Sequence, residues 1–70
     1  MEMDYQYLKK HRNEIFIVSE KTIDTLKIDR EEAFKIDSYI DYNCNIKYTI
    51  KERCIDSFNN IILMCDEEFI

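Results

Sequence analysis

The chain has 70 residues, a net charge of −5 at neutral pH and 46% hydrophobic residues, which fits one small domain spanning residues 1–70. It contains no glycine and no proline. Glycine-rich loops that bring backbone amides to a phosphate are therefore excluded, and with them the P-loop and dinucleotide-binding functions. Asparagine also tolerates a positive φ, so we expect asparagines to form the tight turns.

The first segments of the chain predict two strands. Met3 to Leu8 alternates weakly between apolar and polar residues, which is the pattern of a half-buried strand. Glu14 to Ser19 is rich in β-branched and aromatic residues and predicts a second strand. The two strands would form a hairpin that closes near Asn13.

The middle of the chain predicts helix. Ser19 is a candidate N-cap for a short helix through Lys27, although Thr22 and Thr25 leave a strand open as the alternative. Arg30 to Tyr42 predicts the main helix, because Asp29 is a capping residue with Glu32 three positions later. Apolar residues then recur at helical spacing: Ala33, Ile36, Tyr39 and Ile40.

The last third of the chain predicts strands again. Cys44 to Lys51 alternates with a period of two, and Ile61 to Cys65 is a continuous apolar run typical of a buried strand. Asn59 and Asn60 would form the turn before that run. The segment from Cys54 to Phe58 is compatible with a strand or a helical turn. The fold class we predict is α+β, with a small antiparallel sheet of about four strands and one main helix, with a possible second short helix, on one face.

The three cysteines are Cys44, Cys54 and Cys65. Their odd number and wide spacing fit neither a disulfide framework nor the paired ligands of a zinc site. A zinc site from these cysteines and His11, the only histidine, is the weaker alternative. We expect each cysteine to be a small buried hydrophobic residue, reduced and metal-free.

No catalytic signature is present, so we expect neither an enzyme nor a cofactor. The chain begins with acids where a signal peptide has cations, and its apolar runs are far shorter than a membrane span. These features predict a cytoplasmic protein without membrane contact. Its apolar content predicts a homodimer, because a lone core of this size gives only about 3 to 5 kcal/mol of stability.

Negative charge is concentrated in two parts of the chain. Residues 14–43 carry eight acids against four bases, and residues 66–68 are all acidic. Carboxylates one helical turn apart would line up along one face, about 5.4 Å from each other, and resemble the phosphates of a nucleic-acid strand. A solvated face without a partner is the alternative. The candidate partner-binding residues are Glu20, Asp24, Glu31, Asp37, Asp41, Asp66, Glu67 and Glu68.

These acidic positions, together with the short glycine-free chain, resemble the small host-takeover proteins of bacteriophages. The chain is similar in particular to DNA-mimic inhibitors of host DNA-binding proteins such as the nucleoid protein HU. The resemblance is one of composition over the whole chain. It implies a dimeric decoy in the host cytosol whose carboxylates meet the lysines and arginines of its target.

Two other functions are compatible with the sequence. One is a generic protein interaction or assembly subunit without DNA mimicry. The other is direct nucleic-acid binding through the basic run Lys9 to Arg12, with Tyr5 and Tyr7 stacking on bases. The acidic total disfavours the second, so we expect no direct nucleic-acid contact. We also expect Phe69 and Ile70 to fold back onto the core.

Overall fold

The computed structural model of the protein describes residues 11–70, which form a curled sheet of five strands and one short helix. The predicted strand at Met3 to Leu8, the hairpin that it would form and half of the basic run, residues 9 and 10, therefore lie outside the described residues. The elements in chain order are β1 (Ile15–Val18), β2 (Ile23–Thr25), α1 (Arg30–Ala33), β3 (Ser38–Asp41), β4 (Ile46–Ile55) and β5 (Ile61–Phe69).

The strands lie in the order β2-β1-β5-β4-β3, so the first and last strands in sequence are neighbours at the centre of the sheet. β1 and β5 are parallel, with Ile15 opposite Ile61 and Val18 opposite Met64. All other neighbours are antiparallel. The predicted antiparallel sheet is therefore wrong in its central pair. Parallel strands buried on both faces read as continuous apolar runs, which explains the sequences of β1 and β5.

The main core lies on the inner, concave face of the sheet. Ile17 and Leu63 at the sheet centre are almost fully buried there, and Tyr48 of β4 joins them. The outer face is also covered at the centre, where Phe16 is 0% exposed and meets the His11 ring edge-on at 5.2 Å. Burial on both faces makes the β1–β5 pair the most deeply enclosed part of the fold.

The predicted α+β architecture with a main helix is wrong. Strands hold 50% and helix only 7% of the described residues, and α1 ends at Ala33 instead of Tyr42. The helix does begin at Arg30, after Asp29 in an extended conformation. Asp37 and Ser38 are poor residues for a helix interior, because their side chains hydrogen-bond nearby backbone in other conformations.

After the helix the chain forms an edge strand. β3 pairs with β4, and Tyr39 stacks on Tyr48 with 6.4 Å between ring centroids. The guanidinium of Arg53 donates to the carbonyl oxygens of Ala33 and Ile36, which satisfies acceptors exposed by the early end of the helix. Tertiary pairing thus overrides the helical spacing of Ile36, Tyr39 and Ile40.

The short helix proposed for the segment after Ser19 is also wrong. Ile23–Thr25 is a strand paired with β1, which was the open alternative. Ser19 is therefore not a helix N-cap; its hydroxyl oxygen accepts the N–H of Thr22 at 3.1 Å within a turn. The Ser19 N–H donates to the Thr22 carbonyl at 2.8 Å, and these bonds close a hairpin with Glu20 and Lys21 at its tip.

The two long strands end later than predicted, and β4 also begins two residues after its predicted start at Cys44. β4 begins at Ile46 and continues to Ile55, and β5 continues through the acidic run to Phe69. A bulge between Ile50 and Glu52 interrupts their register. The extra residue, Lys51, reverses the facing of the rest of β4, so Arg53 points to the inner face and Cys54 to the outer face.

Asparagines do form the turns, as the absence of glycine predicts. Asn13, Asn45 and Asn59 have φ values of 59°, 55° and 65°. Asn60 differs, because its side chain is 0% exposed and hydrogen-bonds other segments of the chain; we call this set of contacts the Asn60 clamp. Its amide oxygen accepts the N–H of Glu14 at 2.9 Å, and its amide nitrogen donates to the His11 carbonyl and to the carboxylate of Asp56.

Asp56 completes this clamp. Its second carboxylate oxygen accepts the N–H groups of Phe58 and Asn60, both at 2.9 Å. Burial alone would raise the pKa of Asp56, but the hydrogen bonds from Asn60 and Phe58 outweigh it and hold the pKa below its ordinary value. The ionised carboxylate therefore stabilises the turn between β4 and β5.

We expect Asp56→Asn to lower the free energy of unfolding at pH 7 by about 1 to 3 kcal/mol, because an amide cannot accept hydrogen bonds at all of these positions. A carboxyl whose pKa is depressed by folding stabilises the folded state above its unfolded pKa. That stability is lost as the pH falls from the ordinary pKa of an aspartate through the lowered folded value, so the gap between the two proteins should narrow as the solution is acidified.

Urea unfolding from pH 2 to 7 measures this gap. Asp66→Asn is the matched control, since the Asp66 carboxylate makes only an exposed ion pair with Lys51 at 3.5 Å. The control should change stability by less than about 1 kcal/mol at any pH. A gap for Asp56→Asn that persists unchanged at pH 2 would contradict this role of the carboxylate.

Candidate acidic interface

Three parts of the chain meet at one end of the sheet, which we call the acidic end. They are the tip of the β1–β2 hairpin, the turn from Tyr42 to Asn45 between β3 and β4, and the last residues of β5. The N–H of Ile70 donates to the carbonyl of Asn45 at 3.0 Å and so fixes the end of β5 against that turn. The opposite end of the sheet carries the Asn60 clamp.

Thr22 links the hairpin to the long strands across the inner face. Its hydroxyl donates to a carboxylate oxygen of Glu67 at 3.3 Å, and it also shares a hydrogen bond with the phenol of Tyr48. Burial raises the pKa of Tyr48, and the nearby carboxylates of Glu67 and Asp41 raise it further, against the effect of the Thr22 hydrogen bond. Tyr48 is therefore a neutral group between two acids.

The curl of the sheet brings the two edge strands toward the same cysteine. Asp41 ends β3 and accepts the N–H of Asn43 at 2.9 Å, which orders the turn that carries Cys44. The Asp41 carboxylate is the largest cause of a raised pKa at the Cys44 thiol, and Asp24 of the opposite edge strand β2 adds to it. Negative potential from both edges of the sheet thus overlaps at the acidic end.

An open groove of about 300 Å³ lies between the hairpin tip and the end of β5. Glu20 and Lys21 form one side of the groove. Ile46 and Phe69 give it apolar walls, and Glu67 adds a carboxylate. The groove therefore combines a negative rim with apolar surface, which suits a cationic group with an aliphatic stem better than an anion.

The structure brings six of the eight predicted partner-binding residues to the acidic end, although not on a helix. They are Glu20, Asp24, Asp41, Asp66, Glu67 and Glu68. Asp66 is partly neutralised by Lys51, and Glu68 lies opposite Lys47. Same-face carboxylates on β5 are two residues apart, or about 6.7 Å.

Glu31 and Asp37 lie elsewhere. Glu31 is in the first turn of α1, whose Arg30 donates to the backbone carbonyl of Asn59 near the opposite end of the sheet. Asp37 precedes β3, and its carbonyl accepts the N–H of Ile50 in the middle of β4. The predicted row of Asp37 and Asp41 along one helix therefore does not exist.

Sequence reasoning missed the apolar part of this end. Phe69 is 84% and Ile70 70% exposed, so the prediction that they fold back onto the core is wrong. Tyr42, the last residue of the predicted helix, is 78% exposed in the turn. The three consecutive acids from Asp66 to Glu68 interrupt the apolar run, so periodicity gave no signal that β5 continues past Cys65 to Phe69.

Two of the three cysteines differ from their predicted burial. Cys65 is buried as expected, and burial raises the pKa of its thiol to about 11. Cys44 and Cys54 are exposed, the first in a turn and the second on the outer face after the bulge. Among residues 11–70 no group of histidine, cysteine and acidic side chains is arranged to hold a metal ion.

Comparison with protein-family models, with curated protein sequences and with solved structures gave no match. The described part of the chain contains no helix long and apolar enough to cross a membrane. The function must therefore be inferred from the geometry of the acidic end.

We expect Asp41→Asn to accelerate alkylation of Cys44 by iodoacetamide several-fold at pH 8, because removing the adjacent carboxylate lowers the thiol pKa and raises the thiolate fraction. Labelling at each cysteine is measured by peptide mass spectrometry. Cys54 is the internal control and should react at an unchanged rate, whereas Cys65 should stay protected until the protein unfolds. An unchanged Cys44 rate would show that Asp41 does not control this thiol.

Proposed function

We propose that this protein is an acidic inhibitor that binds the basic DNA-binding surface of a partner protein and competes there with DNA. The observation that carries the proposal is the convergence of six separate acidic residues at one end of the sheet. They come from three parts of the sequence, which are Glu20 with Asp24, Asp41, and the run Asp66 to Glu68, and the strand order and the curl bring these parts together. A focused negative field of this kind attracts basic surfaces and speeds association with them.

A nucleoid protein of the HU type is the partner class that we favour. Such architectural proteins hold DNA through lysine and arginine contacts to phosphates, with little demand on base sequence. Carboxylates can therefore replace phosphates without copying any particular DNA sequence. The supporting geometry is a set of strand-borne acids around a groove, and it takes the place of the helical rows that the sequence suggested.

A generic protein interaction module is the second candidate. The exposure of Tyr42, Phe69 and Ile70 at the acidic end favours it, because aromatic residues at the centre of an interface often supply most of the binding energy. The two candidates differ in their dependence on salt. Binding dominated by carboxylates weakens steeply as ionic strength rises, whereas binding through apolar side chains does not. The homodimer stays a prediction, which light scattering at micromolar concentrations would check.

The double substitution Glu20→Lys with Glu68→Lys should abolish the displacement of DNA from an HU-type protein, because it reverses charge on both sides of the acidic end. The readout is a gel-shift titration at about 50 mM and about 300 mM salt, because the Debye length is clearly shorter at the higher concentration. The parent should displace DNA at the lower salt and lose at least about tenfold in potency at the higher.

Glu31→Lys with Asp37→Lys is the matched control. It makes the same change in net charge away from the acidic end, so it should retain most of the parent's potency. Circular dichroism checks that both variants fold. If both double variants lose potency equally, net charge and not the acidic end is responsible. If the parent displaces no DNA at either salt concentration, the inhibitor proposal fails.

A further inference from the structure

β5 is longer than its central neighbour. β1 ends at Val18, opposite Met64, whereas β5 continues to Phe69. The part of β5 after Cys65 therefore has β4 on one side and no strand on the other within residues 11–70. Among residues 11–70, the last part of β5 is therefore an unpaired sheet edge, and it lies beside the β1–β2 hairpin.

The direction of the backbone groups on this edge follows from the bonds at both ends of β5. The N–H of Ile61 donates to the Glu14 carbonyl, toward β1, and the N–H of Ile70 donates to Asn45, toward β4. Backbone groups alternate in direction along a strand. Glu67 and Phe69, which share the odd phase of Ile61, therefore direct their N–H and C=O groups away from β4, toward the side on which the described residues place no strand.

The groove described above adjoins the side of β5 on which residues 11–70 place no strand. The hairpin tip with Glu20 and Lys21 forms its far wall, so the space lies in line with β1, where an additional strand would continue the sheet. Neighbouring strands need about 4.8 Å between their axes. A groove of about 300 Å³ along this edge accommodates a few residues of extended chain.

The acidic residues around this edge favour a basic binding partner over a second copy of the chain. Glu20, Glu67 and Glu68 surround it, against Lys21 on the hairpin. A second copy of the same edge would set acid against acid, which is a common protection against self-pairing. A segment with lysine or arginine at alternate positions would instead meet Glu67 on the inner face, and its aliphatic stems would lie on Ile46 and Phe69.

We propose that the free edge of β5 at Glu67 and Phe69 binds an extended basic segment of a partner protein by strand addition. The identity of the partner as a basic protein rests on the proposed function. Main-chain hydrogen bonds to Glu67 and Phe69 supply the register, and the acidic rim selects the side chains. The segment extends the sheet in line with β1.

The first test uses an eight-residue synthetic peptide of alternating lysine and valine. Strand addition should slow amide hydrogen exchange at Glu67 and Phe69 at least about tenfold at saturation, because only their free N–H groups gain acceptors. The same peptide N-methylated at every peptide bond keeps its charge but lacks donors, and should bind at least about tenfold more weakly. Equal binding of both peptides, or unchanged exchange at the two amides, would overturn the proposal.

The second test compares Phe69→Pro with Phe69→Ala. Proline removes the N–H that points to the free edge and leaves the hydrogen bonds to β4 in place, whereas alanine removes only the ring. Phe69→Pro should bind the peptide at least about tenfold more weakly than Phe69→Ala, with a similar unfolding temperature for both.

The same pair of variants separates this inference from the proposed function. If both displace DNA from an HU-type protein equally well and the peptide leaves exchange at Glu67 and Phe69 unchanged, the inhibitor proposal stands and strand addition is wrong. If the parent shows peptide-dependent protection of Glu67 and Phe69 but displaces no DNA, strand addition stands and the inhibitor proposal is wrong. If neither effect is seen, both are wrong.

Discussion

The buried side chain of Asn60 is the contact on which the arrangement of the sheet depends. β1 and β5 are parallel and far apart in sequence, so no tight turn can set their register. Asn60 does so instead, because it binds the backbone of His11 and Glu14 while Asp56 holds the other side of the same amide. A buried amide with satisfied donors and acceptors specifies one alignment, since any shift would leave polar groups unpaired in the interior. Ile15 is thereby placed opposite Ile61, and the rest of the sheet is built outward from that pair.

The properties of the acidic end follow from this alignment. With its start fixed at Ile15, the four-residue β1 ends halfway along the nine-residue β5, and the chain turns back through Glu20 and Lys21. The acids of β5 are left beside the hairpin and not under a neighbouring strand. The curl of the sheet then brings Asp24 and Asp41, which lie on opposite edge strands, close to one cysteine. The register of β1 and β5, which is set at one end of the sheet, thus determines where the acidic residues lie at the other end.

The sequence predicts those elements whose patterns are set by local burial. The apolar runs at Ile15 and Ile61 and the alternation around Tyr48 are visible because each strand has at least one face in the core. β3 was missed because Tyr39 fits a helical stripe and a strand face equally well, and only its stacking on Tyr48 and its pairing with β4 decide between them. The extension of β5 was missed because acidic residues have low strand propensity. Lys47 and Lys51 on the neighbouring strand compensate for it. The sequence shows correctly that the acidic residues are concentrated in two parts of the chain. Where these residues lie in space depends on the strand order, which the apolar–polar periodicity does not reveal.

The bulge at Lys51 bears on how relatives of this chain would be aligned. Ile50 and Arg53 both face the core, although they are three residues apart and an unbroken strand would put them on opposite faces. Removing Lys51 would join two segments that already have the correct facing, so the core would keep all of its contributors and lose only an exposed ion pair. A single-residue gap is therefore tolerated better here than elsewhere in β4. An alignment that penalises this gap would shift Arg53 and Ile55 out of phase and hide a relationship that the fold preserves.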